Sequence, residues 1–463
     1  MIHNRKFATA IIWSVVAGFT VLYVSLLFNQ NIWTDEAFTL QLLKKNLRGI
    51  LEGTAMDVHP PLYYLYAKGF ALLFGESLLV QKAAAILPMT ATLGLGATLI
   101  RREFGSRVSL LFVLFLACIP CSMEFAVQVR MYSLALFLVT ACGLFAFRVF
   151  RDGRRLDLAV FSVSGLLAAY THYFALVSVG VITGLLLVAI LLWKRERLTA
   201  WLAGTAGMIL CYLPWMPCLI AQIRNVEQGY WIPEITAEVV WSYFTWTFDL
   251  FLVPGTVFVF LILLKGANVY NIVRITLHRD LTDLYALFCM LTPALTTILG
   301  VVISQFGSPI YRDQYVFPAL GLLALFFGLV MARASGKLLL PVCVFLLFVG
   351  GVQYKECYAQ EYTESLLTQT EDFFAQNLGE DDYILYNWKD YRFVYVYYFP
   401  EEQLCYMEDF DFSQEFDNVW FLQTDLLPGL EEGLLEENGL VSEDMGRYGI
   451  EHNEFEIRRI TRE

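Results

Sequence analysis

Charge is scarce in this sequence. Only 16% of its 463 residues are Asp, Glu, Lys or Arg, against 57% hydrophobic residues and a mean hydropathy of +0.56. Such a shortage excludes a water-soluble enzyme and places the chain among proteins that cross a bilayer several times. Cys118 and Cys121 have C-x-x-C spacing but no second pair and no nearby His, which argues for packing rather than a metal or redox site. Seven of the nine cysteines (118, 121, 142, 211, 218, 289 and 343) lie in apolar runs, where a thiol behaves as a small hydrophobe. Cys357 and Cys405 lie in the polar tail, and whether they pair is left open. There is no phosphate-cradling nucleotide loop, no G-x-G-x-x-G fingerprint, no internal repeat and no low-complexity tract. Nothing points to a nucleic-acid partner. The first apolar run, Phe7 to Phe28, lacks a small-residue cleavage site before the polar loop, so it reads as a retained anchor.

What is present is a succession of apolar runs. A helix of about 20 residues crosses a hydrocarbon core of roughly 30 Å, and eleven segments qualify as spans: 8–28, 82–100, 107–122, 130–149, 157–174, 175–193, 199–219, 243–264, 284–304, 316–332 and 338–353. The stretch "HPPLYYLYAKGFALLFG", His59 to Gly75, is too short from Pro61 onward and carries Lys68, so it reads as a helix lying in the interface. Positive-inside counting supports that choice. Without a crossing there, 17 basic residues fall on the cytoplasmic side and 8 outside before the tail. The N-terminus is then cytoplasmic and the C-terminus extracytoplasmic, in the cytoplasmic membrane.

The chain is bipartite in charge. From Tyr354 to Glu463 there are 27 acidic residues against 7 basic ones, whereas the preceding part has 17 against 25. We therefore expect a membrane domain over 1–353 and an acidic outer domain over 354–463. In the tail a helix-like segment (359–379) precedes strand-like ones at 383–387, 403–407, 418–424 and 454–460, which predicts a small α/β domain.

This topology gathers the polar motifs on the outer face: Asp35, Glu36, Asp57, His59, Arg130, His172, Trp231 and Arg312. Taken alone, a loop acid followed by the apolar-periodic stretch "EAFTLQLLKKNLRGIL" reads equally as a helix N-terminus, its carboxylates favouring the positive end of the dipole. His172 alone would suit an interfacial histidine, and Trp231 and Tyr173 an aromatic belt. Together these residues describe a cavity with acids, bases and arginines beside the acyl region. It suits a substrate with an anionic head and a lipid tail, since Arg pairs with phosphate oxygens.

The ordered motifs W-x-D-E-A, H-P-P-L-Y-Y, R-M-Y-S-L, T-H-Y-F-A-L, Y-W-I-P and S-P-x-Y-x-x-x-Y-x-x-P resemble those of the polytopic GT-C glycosyltransferases. Within them the chain is similar to the bacterial branch of the dolichyl-phosphate-mannose-protein mannosyltransferase superfamily, glycosyltransferase family 39, to which aminoarabinose transferases are related. The resemblance covers roughly residues 8 to 330. It implies a GT-C fold, which for this chain means a mainly α, polytopic transmembrane bundle of about eleven spans with interfacial helices in the first outer loop; the small C-terminal α/β domain rests on the tail's own pattern.

For activity, the resemblance implies transfer of a sugar from a polyprenyl-phosphate donor to a hydroxyl of a glycan, lipid or protein, with inversion. Asp35 matches the general base and Glu36 its acidic neighbour. His59 matches the basic position near the lipid phosphate, Arg130 and Tyr132 the R-M-Y-S motif, and His172 with Tyr173 the T-H-Y motif. Asp57, Lys68, Trp231, Arg312 and Tyr315 complete the expected substrate-binding set. Relatives commonly carry Arg-Tyr where this chain has Gln314-Tyr315, and Arg312 is the nearest substitute. No cofactor is indicated with certainty. If a divalent metal is needed, Asp35, Glu36 and Asp57 are the acids that would hold it. The alternative from another class is a transporter or lipid flippase, which predicts ionisable residues near mid-membrane and matching broken helices in two halves. Neither is seen in the sequence.

Overall fold

The computed structural model of the chain describes residues 5–119, 121–227, 232–248, 281–333, 336–359, 366–425, 427–430, 432–451 and 453–462. Trp231 and the expected span at 243–264 from residue 249 onward lie outside them. In chain order the α-helices are α1 Arg5–Ser25, α2 Thr34–Leu43, α3 Leu47–Met56, α4 Leu62–Phe74, α5 Leu78–Leu95, α6 Arg101–Phe104, α7 Ser106–Ala117, α8 Ser122–Val127, α9 Tyr132–Arg151 and α10 Arg155–Ala169. They continue with α11 Tyr173–Trp193, α12 Leu198–Tyr212, α13 Met216–Glu227, α14 Ala237–Phe248, α15 Leu281–Phe306, α16 Leu320–Met331, α17 Gly336–Tyr358, α18 Leu367–Asn377, α19 Arg392–Tyr398 and α20 Glu432–Glu437.

These residues form two compact units: Met1–Leu27 with Asn46–Lys355, and Phe28–Lys45 with Glu356–Glu463. In the first, among the described residues, eight helices are long and apolar enough to cross a membrane: Lys6–Phe28, Leu78–Phe104, Tyr132–Arg151, Tyr173–Trp193, Arg195–Val226, Leu281–Phe306, Asp313–Met331 and Leu338–Tyr358, the first and last of which run a little way into the second unit. The protein is an integral, multi-pass membrane protein. Two expected spans are shorter as helices. α7 has 12 residues and α10 has 15, about 18 and 22 Å at 1.5 Å per residue, less than the roughly 30 Å hydrocarbon core. α4 forms over the stretch read as interfacial, and it exposes Leu72, Leu73 and Phe74 at its C-terminal end.

The most buried of the eight is α9, 83% buried over its apolar window, whereas α1 and α17 are buried over 33% and 28% of theirs. α5, α10, α11 and α16 pack around α9. Outer helices turn Trp13, Leu340 and Phe348 outward, where lipid rather than water covers apolar side chains.

The C-terminal end of α9 is held by an ion-pair cluster. Arg148 Nε donates to Asp157 Oδ1 on α10 at 2.7 Å, and its Nη1 donates to Glu103 Oε1 on α6 at 2.8 Å. Arg151 Nη1 donates to Glu103 Oε2 at 2.6 Å and its Nη2 to Asp152 Oδ2 at 2.8 Å. Asp157 is 1% exposed, so removing its partner strands a buried charge. Arg148→Met is expected to destabilise the protein by about 3–5 kcal/mol, read as a lower melting temperature in detergent. The double variant Arg148→Met/Asp157→Asn should recover part of that loss.

In the second unit a five-stranded sheet runs in the order β2-β1-β3-β5-β4, with β1 Tyr383–Tyr386, β2 Leu404–Tyr406, β3 Val419–Gln423, β4 Leu440–Ile450 and β5 Asn453–Arg462. β1 is parallel to β2 and β3, while β5 is antiparallel to β3 and β4. α19 makes the crossover from β1 to β2, as a parallel pair requires. Leu385, Val419, Phe421, Leu440, Ile460 and Phe410 form the core on one side of the sheet. At the start of β1, buried Asp382 accepts from Gly379 N–H (2.9 Å), Asn418 N–H (2.9 Å) and Trp420 Nε1–H (2.8 Å), which ties β1 to β3. Burial would raise this carboxyl, and the donors hold it below its ordinary value.

Candidate active site

In the first unit the site grows from three chain turns. The first lies between α3 and α4. Proline fixes φ near the helical value and lacks the N–H that a helix start leaves unpaired, so Pro60-Pro61 ends the turn and opens α4. The N–H of Leu62 donates to the Tyr170 carbonyl at 3.0 Å, fastening this turn to the end of α10. The loop with Asp57 and His59 thereby meets the loop with His172.

His59 Nδ1 lies 3.0 Å from Asp57 Oδ2, and its Nε2 lies 3.4 Å from Arg130 Nη2. A guanidinium can only donate, so Nε2 accepts and the Nδ1–H donates to Asp57. Arg130, 1% exposed, also donates from Nη1 to Tyr64 Oη at 3.3 Å. Burial would raise the Asp57 carboxyl. The His59 hydrogen bond and the charge of the Arg130 guanidinium outweigh burial and hold it below its ordinary value. A carboxylate, an imidazole and a guanidinium are thus in line at the N-terminal end of α9.

The second turn presents His172, 2% exposed, as the N-cap of α11. Its Nδ1 accepts the N–H of Phe174 at 3.1 Å. Burial, then the nearby Arg130 guanidinium, push its imidazole well below the ordinary histidine value, so the ring is a neutral acceptor at this helix start. Its centroid is 5.9 Å from His59, 5.7 Å from Tyr132 and 5.1 Å from Tyr315. Tyr315 in turn stacks on Phe174 at 5.0 Å.

The third turn follows α15. Ser304 Oγ accepts the N–H groups of Ile310 and Tyr311, both at 3.1 Å. Tyr311 lies so close to Gly300 that a Cβ there would stand 2.2 Å from its ring, so this seat requires glycine. Arg312 caps the 3-10 helix Asp313–Ala319 and pairs with Asp313 at 3.6 Å. Tyr315 reaches the His172 ring from that helix.

These turns line one side of a cavity of about 330 Å³. His59, His172 and Tyr315 stand in its wall with Tyr173, Phe174 and Gln222, and Val177, Leu219, Ile223 and Ile303 make the rest apolar. A few polar groups at one part of an apolar cavity fit an amphiphile's head and tail.

Two contributors were not expected from sequence. Tyr64, the last residue of H-P-P-L-Y-Y, supports Arg130. Gln222, 2% exposed, accepts from the Tyr173 hydroxyl and donates from Nε2 to Thr54 O at 2.7 Å, while Trp215 Nε1 donates to Tyr173 Oη at 3.1 Å. A lone glutamine among apolar residues of α13 was the available signal. Lys68 is buried on α4 and pairs with Glu76 at 3.3 Å.

In the second unit, Asp35 and Glu36 occupy the first turn of α2. Their environments differ. Glu36 is 5% exposed, and its Oε2 accepts the Trp33 N–H at 3.3 Å, whereas Asp35 is half-buried. Among the described residues no three His, Cys, Asp or Glu side chains gather in a way that could hold a metal ion.

No family model matches the chain, and no curated protein matches it. Among the solved structures that match in fold are two of one protein. ArnT from Cupriavidus metallidurans in the apo state has a TM-score of 0.63 at 13% identity, over 97% of this chain and 98% of that one. The same protein bound to undecaprenyl phosphate has a TM-score of 0.64 at 14% identity, over the same shares. Over 97% of its length the chain therefore has the fold of these ArnT structures, a polytopic membrane bundle of the GT-C type with a small C-terminal α/β part.

Proposed function

We propose that this protein is a membrane glycosyltransferase that moves a sugar from a polyprenyl-phosphate donor to a hydroxyl acceptor on the outer face of the cytoplasmic membrane. The observation that carries the reading is the convergence of Arg130, His59 and His172 beside a largely apolar cavity of about 330 Å³. The fold likeness supports it, because one of the ArnT structures was solved with undecaprenyl phosphate.

In this reading the prenyl chain follows the apolar wall of Val177, Leu219, Ile223 and Ile303. The phosphate meets Arg130 and His59. The acceptor hydroxyl attacks the anomeric carbon, a C–O bond forms, and the bond from that carbon to the phosphate oxygen breaks. Asp35 takes the hydroxyl proton, and the phosphate leaves with its charge held by Arg130. Asp57 fixes the His59 tautomer, and His172 stays neutral behind it. Tyr132, Tyr173 and Tyr315 shape the wall. Lys68, Trp231 and Arg312 remain assigned to the substrate on the resemblance alone, and the C-terminal unit to the outer side.

The test uses membranes containing the full chain and a panel of undecaprenyl-phosphate hexoses labelled in the sugar. Label is expected to pass from the lipid into an envelope glycan, glycolipid or glycoprotein. Labelled lipid that crosses a liposome bilayer chemically unchanged, with no transfer from any donor in the panel, would instead identify a flippase.

A further inference from the structure

The segment that carries Asp35 is folded as part of the C-terminal unit. Tyr398, the last residue of α19, places its phenol across the turn that leads into α2. Its Oη donates to the Gln30 carbonyl at 2.8 Å and accepts the Ile32 N–H at 3.1 Å. Asn29 Oδ1 takes the Asn31 N–H at 2.6 Å, so each residue of this turn is tied on its backbone. Ile32 is fully buried. One turn further on, Phe38 meets Phe393 of α19 edge to face at 5.5 Å. Glu36 closes the helix start on Trp33. Burial pushes the Tyr398 phenol well above its ordinary value, with Glu36 among the nearby charges, so the donor persists at any physiological pH.

These contacts lie either side of Asp35 and leave it little freedom. An aspartate needs only a shift of its helix turn to lose alignment with a hydroxyl, and a misplacement of about 1 Å can cost about 100-fold in rate. We propose that Tyr398 is a positioning residue for the transfer reaction: through Gln30 and Ile32 it sets the first turn of α2 and hence the Asp35 carboxylate. This rests on the reading of Asp35 as the base. It gives the C-terminal unit a part in turnover and none in donor binding, since the residues assigned to the donor belong to the other unit.

Tyr398→Phe keeps the ring and removes both hydrogen bonds. In full-length protein supplied with undecaprenyl-phosphate hexose, we expect kcat to fall about 10- to 100-fold with the donor KM unchanged and the protein still folded at the assay temperature, its melting temperature only slightly lower. In an Asp35→Asn background the same change should cost nothing further, because the group it positions is gone. Wild-type kcat in Tyr398→Phe, a loss carried by the donor KM, or losses that multiply in the double variant would each overturn the inference while Asp35→Asn itself stays strongly impaired. Wild-type turnover in Asp35→Asn would bring down the base assignment, and the inference with it.

Discussion

Asp35→Asn is expected to lower sugar transfer about 10²- to 10⁴-fold, the range over which a positioned general base contributes. Asparagine keeps the size and the helix-start preference of aspartate, so α2 should form as before and protein levels should not change. What it cannot do is accept the acceptor's proton. Since in the proposed reading the base touches the hydroxyl and not the lipid phosphate, the loss should fall on kcat with the donor KM near its original value. Asp35 suits this part better than its neighbour does: it is half-buried, whereas Glu36 is enclosed and already accepts the Trp33 N–H. Glu36→Gln should therefore act mainly through the helix start and cost far less. Equal losses from the two substitutions would contradict this division of roles.

Arg130→Gln is the second large effect. Its guanidinium is 1% exposed and contacts His59 and Tyr64. There a charge gains more from a phosphate than it would in water. Removing one such stabilising group costs about 10²- to 10³-fold in rate. In the proposed reading Arg130, unlike the base, meets the phosphate in the bound donor as well as in the transition state, so the donor KM should rise while kcat falls. Arg130→Lys should not rescue, since an ammonium cannot reach His59 and Tyr64 at once with the geometry of a planar fork. A donor KM that stays fixed in Arg130→Gln would remove Arg130 from the phosphate.

Much of this arrangement was legible in the sequence because bilayer physics leaves few choices. Long apolar runs had to become helices, and those at 8–28, 175–193, 284–304 and 338–353 did so. The polar motifs lie at chain turns between apolar helices, and that is where Asp57, His59, Arg130 and His172 meet. In the tail, four strand segments and the α18 helix were found from alternation of apolar residues.

What was missed failed for local reasons. β4, "LVSEDMGRYGI", is mostly exposed, and a bulge near Gly446 breaks its alternation, so it carried no strand signal. α19, "RFVYVYY", is rich in β-branched and aromatic residues that favour strands, yet it is helical because a parallel β1–β2 pair needs a crossover. The shortness of α7 was hidden because hydropathy does not see where a helix stops. That the 28–45 segment would fold with residues 356–463 is a matter of tertiary packing, carried by Tyr398 and Phe393, and no local pattern encodes it.

The ends of α9 differ in kind. Arg148 and Arg151 lock one end to carboxylates, and Arg130 stands just ahead of the other, about 30 Å away along 20 residues. The helix thus works as a ruler whose length matches the hydrocarbon thickness. In a thicker bilayer this rod cannot stretch, so the lipid around the bundle must thin locally or the whole bundle must tilt. Turnover should then depend on acyl-chain length through the depth at which the donor phosphate sits relative to Arg130, with no residue of the site altered.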